Sequence, residues 1–282
     1  MLAGIVLPLR SASSDSSAPP ATASWFRETR PAPGVATAVV ARWAGVGGWD
    51  RTLRVLPDGC ADLIWAGDRL VVVGAQAGPQ RFAVSAAGHN VGLRLRPGAG
   101  RAVLGVALRD LPPGEVAAVD LWGSAATRLE DDLHHARDVG HRHELLERHV
   151  AARLAAVDAD DGRGLDPAVA AAAQLLRHAA TSVARVADDV GLSPRELRRR
   201  FLVDVGYGPK TLQRVLRFRA AVRNLSTGVS LADIAARHGY ADQSHLGREC
   251  RRLSGSSPAR LQALRGRLGR NVPDPGAATG AG

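Results

Sequence analysis

The chain has 282 residues, is 45% hydrophobic and 23% charged, and carries a formal net charge of +10. That length is enough for two domains with their own cores, and two cysteines as far apart as Cys60 and Cys250 exclude a disulfide framework and zinc-ligand spacing. No stretch approaches the ~20 apolar residues of a membrane span, and the first residues lack the basic start of a signal peptide, so a cytoplasmic protein with no membrane partner is expected.

Residues 1–24 open with a short apolar run, Leu2 to Leu9, and continue through a Ser/Ala/Pro-rich stretch. Such composition buries too little to fold and reads as a disordered arm. From Trp25 to about residue 125 the pattern is that of a small antiparallel β domain with helical insertions. Arg51 to Leu56 alternates, Pro57-Asp58-Gly59 signals a turn, and Ala61–Trp65, Leu70–Val73, Phe82–Val84 and Val91–Leu95 read as short strands between glycine breaks. Pro97-Gly98-Ala99-Gly100 then leads into an apolar helix expected over Arg101–Leu108. A sensor role is the functional reading of this domain. Trp43, Trp49, Trp65 and Trp122 are candidates to line an apolar pocket, although filling the core is the simpler use of tryptophan. Cys60 stands between Asp58 and Asp62, whose charges would raise a thiol pKa and blunt its reactivity.

Residues 126–164 read as a helical connector and linker. Leu129, Leu133, Leu145, Leu146, Val150 and Leu154 recur at helical spacing across Thr127–Val157. His134, His135, His141, His143 and His149, even with Asp131 or Glu144, form no compact metal-ligand set. A solvated face is the simpler reading for them, and a dimerisation helix the better functional one. Asp158 to Gly164 is polar and glycine-rich, as a linker should be.

Residues 165–268 contain one pattern twice. Ser182-Val183-Ala184-Arg185-Val186-Ala187-Asp188-Asp189-Val190-Gly191 aligns without a gap on Ser230-Leu231-Ala232-Asp233-Ile234-Ala235-Ala236-Arg237-His238-Gly239. Each serine can cap a helix, and each glycine supplies the left-handed residue that ends it. A second helix follows, capped by Ser193 with Pro194 in the first turn, or by Asp242. Leu197 and Phe201 in one copy, Leu246 and Cys250 in the other, face inward four residues apart. Each copy therefore predicts a helix-turn-helix. Residues 269–282 are Pro/Gly/Ala-rich and read as a disordered tail.

At these residues the chain resembles the AraC/XylS family of bacterial transcription regulators. The most specific stretch runs from Ser230-Leu231-Ala232-Asp233-Ile234-Ala235 through Gly239-Tyr240-Ala241-Asp242-Gln243-Ser244-His245-Leu246 to Gly255-Ser256-Ser257-Pro258. The resemblance covers about Asp166 to Leu268. It implies two helix-turn-helix units joined by one long helix, here Pro209 to Leu225. Two positions depart from the pattern: Cys250 stands where an aromatic residue is usual, and Gly247 lies inside a reading helix, where glycine costs ~1 kcal/mol relative to alanine. Val55 to Trp65, Leu93 to Ala99 and Leu121-Trp122-Gly123 resemble an uncharacterised N-terminal domain of some AraC-type regulators.

Charge agrees independently. Residues 165–270 hold 19 Lys+Arg and 8 Asp+Glu, the remainder 18 and 19. A basic excess confined to one domain is the footprint of a polyanion-binding face. Arg195, Arg198 and Arg199 share the face opposite Leu197 and Phe201 and are candidates to read bases, since arginine can bond a guanine edge twice. Gln243, Ser244, His245 and Arg248 are the equivalent candidates in the second copy. Lys210, Arg217, Arg223, Arg251 and Arg252 are assigned to phosphates.

The expectation is an α+β chain. A small N-terminal antiparallel β domain with helices precedes an all-α domain of two helix-turn-helix units joined by a long helix. Its partner is double-stranded promoter or operator DNA. A small-molecule effector and a homodimer are candidate partners, and activation through RNA polymerase is implied by the resemblance. No catalytic residue, metal site or cofactor is expected, and the chain is not read as an enzyme. Two rivals are a DNA-tethered enzyme or alkylation sensor using Cys60, and an architectural DNA binder without sequence preference.

Overall fold

The computed structural model describes residues 6–8, 25–46, 51–84, 89–160, 164–178, 181–225 and 229–268. Trp49 and the tail expected over 269–282 lie outside them, as does most of the expected arm. By contacts the chain divides into two compact units, 1–217 and 218–282. The division falls inside a helix, and each unit is described by itself.

In the first unit, strands β1 (Val6–Pro8), β4 (Arg51–Val55) and β7 (Gln80–Val84) pair as a three-stranded sheet in the order β1-β4-β7. The pairing of Val6–Pro8 with Leu53–Val55 corrects the reading of the whole arm as disordered. Six further strands form an antiparallel sheet in the order β2-β3-β8-β5-β6-β9. They are β2 (Trp25–Thr29), β3 (Val39–Val46), β5 (Ala61–Trp65), β6 (Leu70–Val73), β8 (His89–Leu95) and β9 (Glu115–Ala117). Strand β5 alternates between buried and half-buried residues, whereas β6 is buried at every position. Ala61, Leu63 and Trp65 of β5 and Val91, Leu93 and Leu95 of β8 all enter one core. Full burial of each large side chain stabilises by ~1.5–3 kcal/mol.

Helix α1 spans Gly100–Leu104 and stops at Gly105, whose N–H bonds to the Arg101 carbonyl. The helix expected over Arg101–Leu108 is therefore shorter, and Leu108–Asp110 is a separate 3-10 turn. Helix α2 (Ala118–Trp122) leads into α3 (Ser124–His134) and α4 (Val139–Asp160). Because α4 runs to Asp160, it takes in the start of the expected linker. Leu129, Leu133, Leu145, Leu146 and Val150 are all buried in the sheet's core, with Leu154 packed against it. This apolar stripe is packed within the chain.

The histidines divide. His134 and His135 are exposed, as a solvated face requires. His143 is instead buried and donates from Nε2 to the Trp43 carbonyl at 2.9 Å. His149 stacks on Trp122 with ring centroids 4.6 Å apart. Burial, reinforced by the Arg153 guanidinium, holds the His149 pKa down at about 4. His143 belongs to the interior because α4 lies against the sheet, and His149 is half-buried beside Trp122. Among the described residues no group of histidines, cysteines and carboxylates is arranged to hold a metal.

Helix α5 (Pro167–Leu175) starts at Asp166, whose Oδ1 accepts from the N–H groups of Ala168 and Val169. Helices α6 (Val183–Asp189) and α7 (Pro194–Asp204) follow, and α8 (Pro209–Arg223) crosses the division at 217. Val169, Ala172, Val186, Leu197, Phe201 and Leu212 close a second core. The second unit contains α9 (Leu231–Arg237), α10 (Gln243–Ser254) and α11 (Pro258–Leu268). Its buried residues include Phe218, Val222, Ile234, Ala235, Leu246, Cys250 and Leu261.

Candidate nucleic-acid interface

Local chemistry builds both reading helices the same way. Ser182 Oγ accepts from the Arg185 N–H at 3.1 Å and Ser193 Oγ from the Glu196 N–H at 3.1 Å. Ser230 Oγ accepts from the Asp233 N–H at 3.0 Å and Asp242 Oδ1 from the His245 N–H at 2.6 Å. Between the paired helices, Gly191 and Gly239 sit at φ 69° and 67°. A side chain there would be strained, and the tight turn depends on its absence. Leu197, Phe201, Leu246 and Cys250 are fully buried. That burial fixes the opposite side of α7 and α10 as the solvent face.

On α7 that face carries Arg195 and Arg198, both exposed. Arg199 is also exposed but is held. Its Nε donates to Glu196 Oε2 at 2.8 Å and its Nη2 to Oε1 at 2.7 Å. Glu196 also accepts from Arg200 Nε at 2.8 Å, and Arg200 Nη1 reaches Asp166 Oδ2 at 3.1 Å. Hydrogen bonds from Arg199 and then Arg200 hold the Glu196 carboxyl down at about 2. Sequence reasoning ranked the three arginines alike and missed this pairing. The signal was present, since Glu196 precedes Arg199 and Arg200 by three and four residues, the spacing at which helix side chains meet. Lys210 is exposed at the start of α8, with Nζ 3.0 Å from Gln213 Oε1. Arg217 is half-buried.

On α10, Gln243, Ser244 and Arg248 are exposed. His245 is turned back toward the start of its helix. Its Nδ1 accepts from the Ala241 N–H at 3.3 Å, and its ring meets Tyr240 edge-on at 5.2 Å. Arg251 and Arg252 are exposed in the last turns, and Arg223 is exposed at the end of α8. The Cys250 thiol is pushed up to about 12 by burial and then by Glu249, so it serves as core.

The sheet domain holds its own buried charge. Arg94, 3% exposed, lies 2.6 Å from Glu28, 3.2 Å from Asp58 and 3.3 Å from Asp62. The Trp43 indole donates to Asp62 at 3.0 Å. Burial opposes the charge on Arg94, but Asp62, Asp58, Cys60 and Glu28 together keep it firmly protonated. Burial raises the Asp62 carboxyl despite the attraction of Arg94. The expectation of a tryptophan-lined pocket is not met among the described residues. Trp65 is 1% exposed, and the Trp122 indole donates to the Leu104 carbonyl at 3.0 Å. The hollow beside Arg96–Ala99 and Gln174 and the one beside Gly74–Ala77 and Leu108 contain no tryptophan. Cys60 is 6% exposed, and its N–H bonds to Asp58 at 2.9 Å. Its thiol is not presented to a macromolecular substrate.

The sheet domain also touches the first helix-turn-helix. Arg101 Nε of α1 meets Asp204 of α7 at 2.8 Å. Gly206, just past α7, lies against Leu108 so closely that a Cβ there would come within 3.3 Å of the leucine. These contacts put the first reading helix in the same compact unit as the sheet, although the linker-like sequence lies between them.

Two family models match the chain. A helix-turn-helix domain model covers residues 186–263, and a domain of unknown function, DUF6597, covers residues 27–116. The HTH-type transcriptional regulator VirS of Mycobacterium tuberculosis (strain CDC 1551 / Oshkosh) is 34% identical over 102 residues. That alignment takes in 36% of this chain and 30% of the relative's length. Among solved structures, the DNA-binding domain of the global transcriptional factor AdpA, in complex with a target DNA, is 31% identical. It matches over 36% of this chain and 94% of its own, with a TM-score of 0.32. ToxT from Vibrio cholerae O395 is 11% identical over 85% of this chain and 97% of its own, with a TM-score of 0.41.

Proposed function

We propose that this chain, whose C-terminal region is an AraC-type helix-turn-helix domain, is a transcription regulator that binds specific DNA sequences through two reading helices. One observation carries the reading. Both α7 and α10 are capped and pinned by buried residues on one side, and each presents side chains suited to base edges on the other. Arg195 and Arg198 suit guanine, and Gln243 suits adenine. Lys210, Arg217, Arg223, Arg251 and Arg252 would supply the sequence-independent attraction to phosphates.

The N-terminal domain is proposed to respond to a small-molecule effector. The Arg101–Asp204 ion pair and the seat of Leu108 on Gly206 support this, because a change in the sheet domain would be felt directly at α7. Contact with RNA polymerase, pairing of two copies and activation rather than repression belong to the same proposal.

The test is selection of bound sites from random and genomic DNA with the full chain at ~150 mM salt, where non-specific binding is weak. A recovered motif with two conserved blocks supports a two-headed reader. Equal affinity for every duplex, with a steep salt dependence, would make the chain an architectural binder and overturn the reading.

A further inference from the structure

Glu196 is the surface acid of α7. The helix's other acid, Asp204, is buried against Arg101. A carboxylate among arginines on a helix meant to approach a polyanion works against binding, so its placement needs a reason. Stability supplies little of one, because the Glu196–Arg199 pair lies at the surface, with the arginine side chain 64% exposed, and such pairs are screened by solvent. What the pair does achieve is geometric. Both oxygens of Glu196 engage the Nε and Nη2 edge of Arg199, and the planar guanidinium is thereby fixed in one orientation. Its other edge, Nη1 with Nη2, still has the two-donor fork that matches the O6 and N7 acceptors of guanine. Glu196 is itself steadied from behind by Arg200, which is anchored on Asp166 at the start of α5. Negative charge at Glu196 also repels a phosphate from Arg199.

We infer that Glu196 is a specificity-determining positioning residue, which holds Arg199 as a rigid reader of one base pair and keeps it from indiscriminate phosphate contact. This rests on the proposed reading of DNA by α7.

The experiment is a double-mutant cycle in the full-length protein, with Glu196→Gln, Arg199→Ala and the double variant. Each is titrated against the selected duplex and a scrambled duplex over a range of salt. Glutamine keeps the length but removes the charge and the paired acceptors. Glu196→Gln is expected to lower the ratio of selected to scrambled affinity about 10-fold. It should raise scrambled-duplex affinity several-fold and steepen its salt dependence by about one unit of slope, with thermal stability unchanged. In the Arg199→Ala background the same substitution should leave the ratio unaltered. A ratio unchanged by Glu196→Gln alone, or lowered equally with and without Arg199, overturns the inference. A wild-type protein that does not distinguish the two duplexes overturns the reading on which the inference rests.

Discussion

Arg198 and Arg248 occupy the exposed face of the two reading helices, and each is expected to contribute to one base pair. Replacing either by alanine should cost ~1–3 kcal/mol on the selected site and relax preference at a single position. Binding titrations on single-base variants of the site check this, and an equal loss on all duplexes would reassign the residue to phosphate. A different residue governs pH dependence. His149 has its folded pKa held at about 4 by burial against Trp122 and by Arg153, whereas an unfolded imidazole titrates near ~6.5. Between those values the unfolded chain binds a proton that the folded chain refuses. The stability due to keeping His149 neutral is present above ~6.5 and is lost as pH falls toward 4. His149→Phe should therefore flatten the decline of Tm between pH 7 and pH 4.5. An unaltered decline would show that the imidazole is not the group responsible. The buried His143 and the half-buried His149 of α4 were invisible as such in sequence. Periodicity assigned the leucines of that helix a face but gave no sign that His143 and His149 border it.

At the level of elements, the helix-turn-helix repeat was legible almost residue by residue. Every cap expected at Ser182, Ser193, Ser230 and Asp242 is formed, because capping depends on a side chain and amides two or three residues away. Strands β5 and β6 were legible to their end residues, as short apolar runs bounded by turn signals. Strands β2 and β3 were not singled out, since Trp25–Thr29 and Val39–Val46 become strands through pairing with each other and with β8. Gly247 in α10 offers a test of element stability. A Cβ built there would meet only the Arg251 guanidinium, at 3.7 Å, which is ordinary contact. Gly247→Ala should therefore stabilise the second unit by up to about 1 kcal/mol, read by chemical denaturation. Loss of DNA binding without loss of stability would show instead that the glycine admits the backbone close to DNA.

For the molecule as a whole, the contact between sheet domain and first helix-turn-helix is the arrangement with consequences for regulation. Asp204 is 4% exposed and depends on Arg101, so Arg101→Met would strand a buried carboxylate. The expected cost is at most about 3 kcal/mol, below a fully buried pair because Arg101 is partly solvated. Hydrogen exchange should quicken in α1 and α7 while α10 is unaffected. Exchange in α7 that stays unchanged would mean that the pair does not hold the two together.

The sequence alone determined the two helix-turn-helix units, their caps and turns, the inward and outward faces of the reading helices, and the concentration of positive charge on that region. All of these follow from neighbours within about four residues or from composition. Tertiary structure decided the rest. It chose where Arg94 finds its three carboxylates and that His143 is buried. It also set the docking of α7 on Arg101 and Leu108. Those depend on groups brought together from distant parts of the chain, where burial and charge act through space and leave no periodic trace in the order of residues.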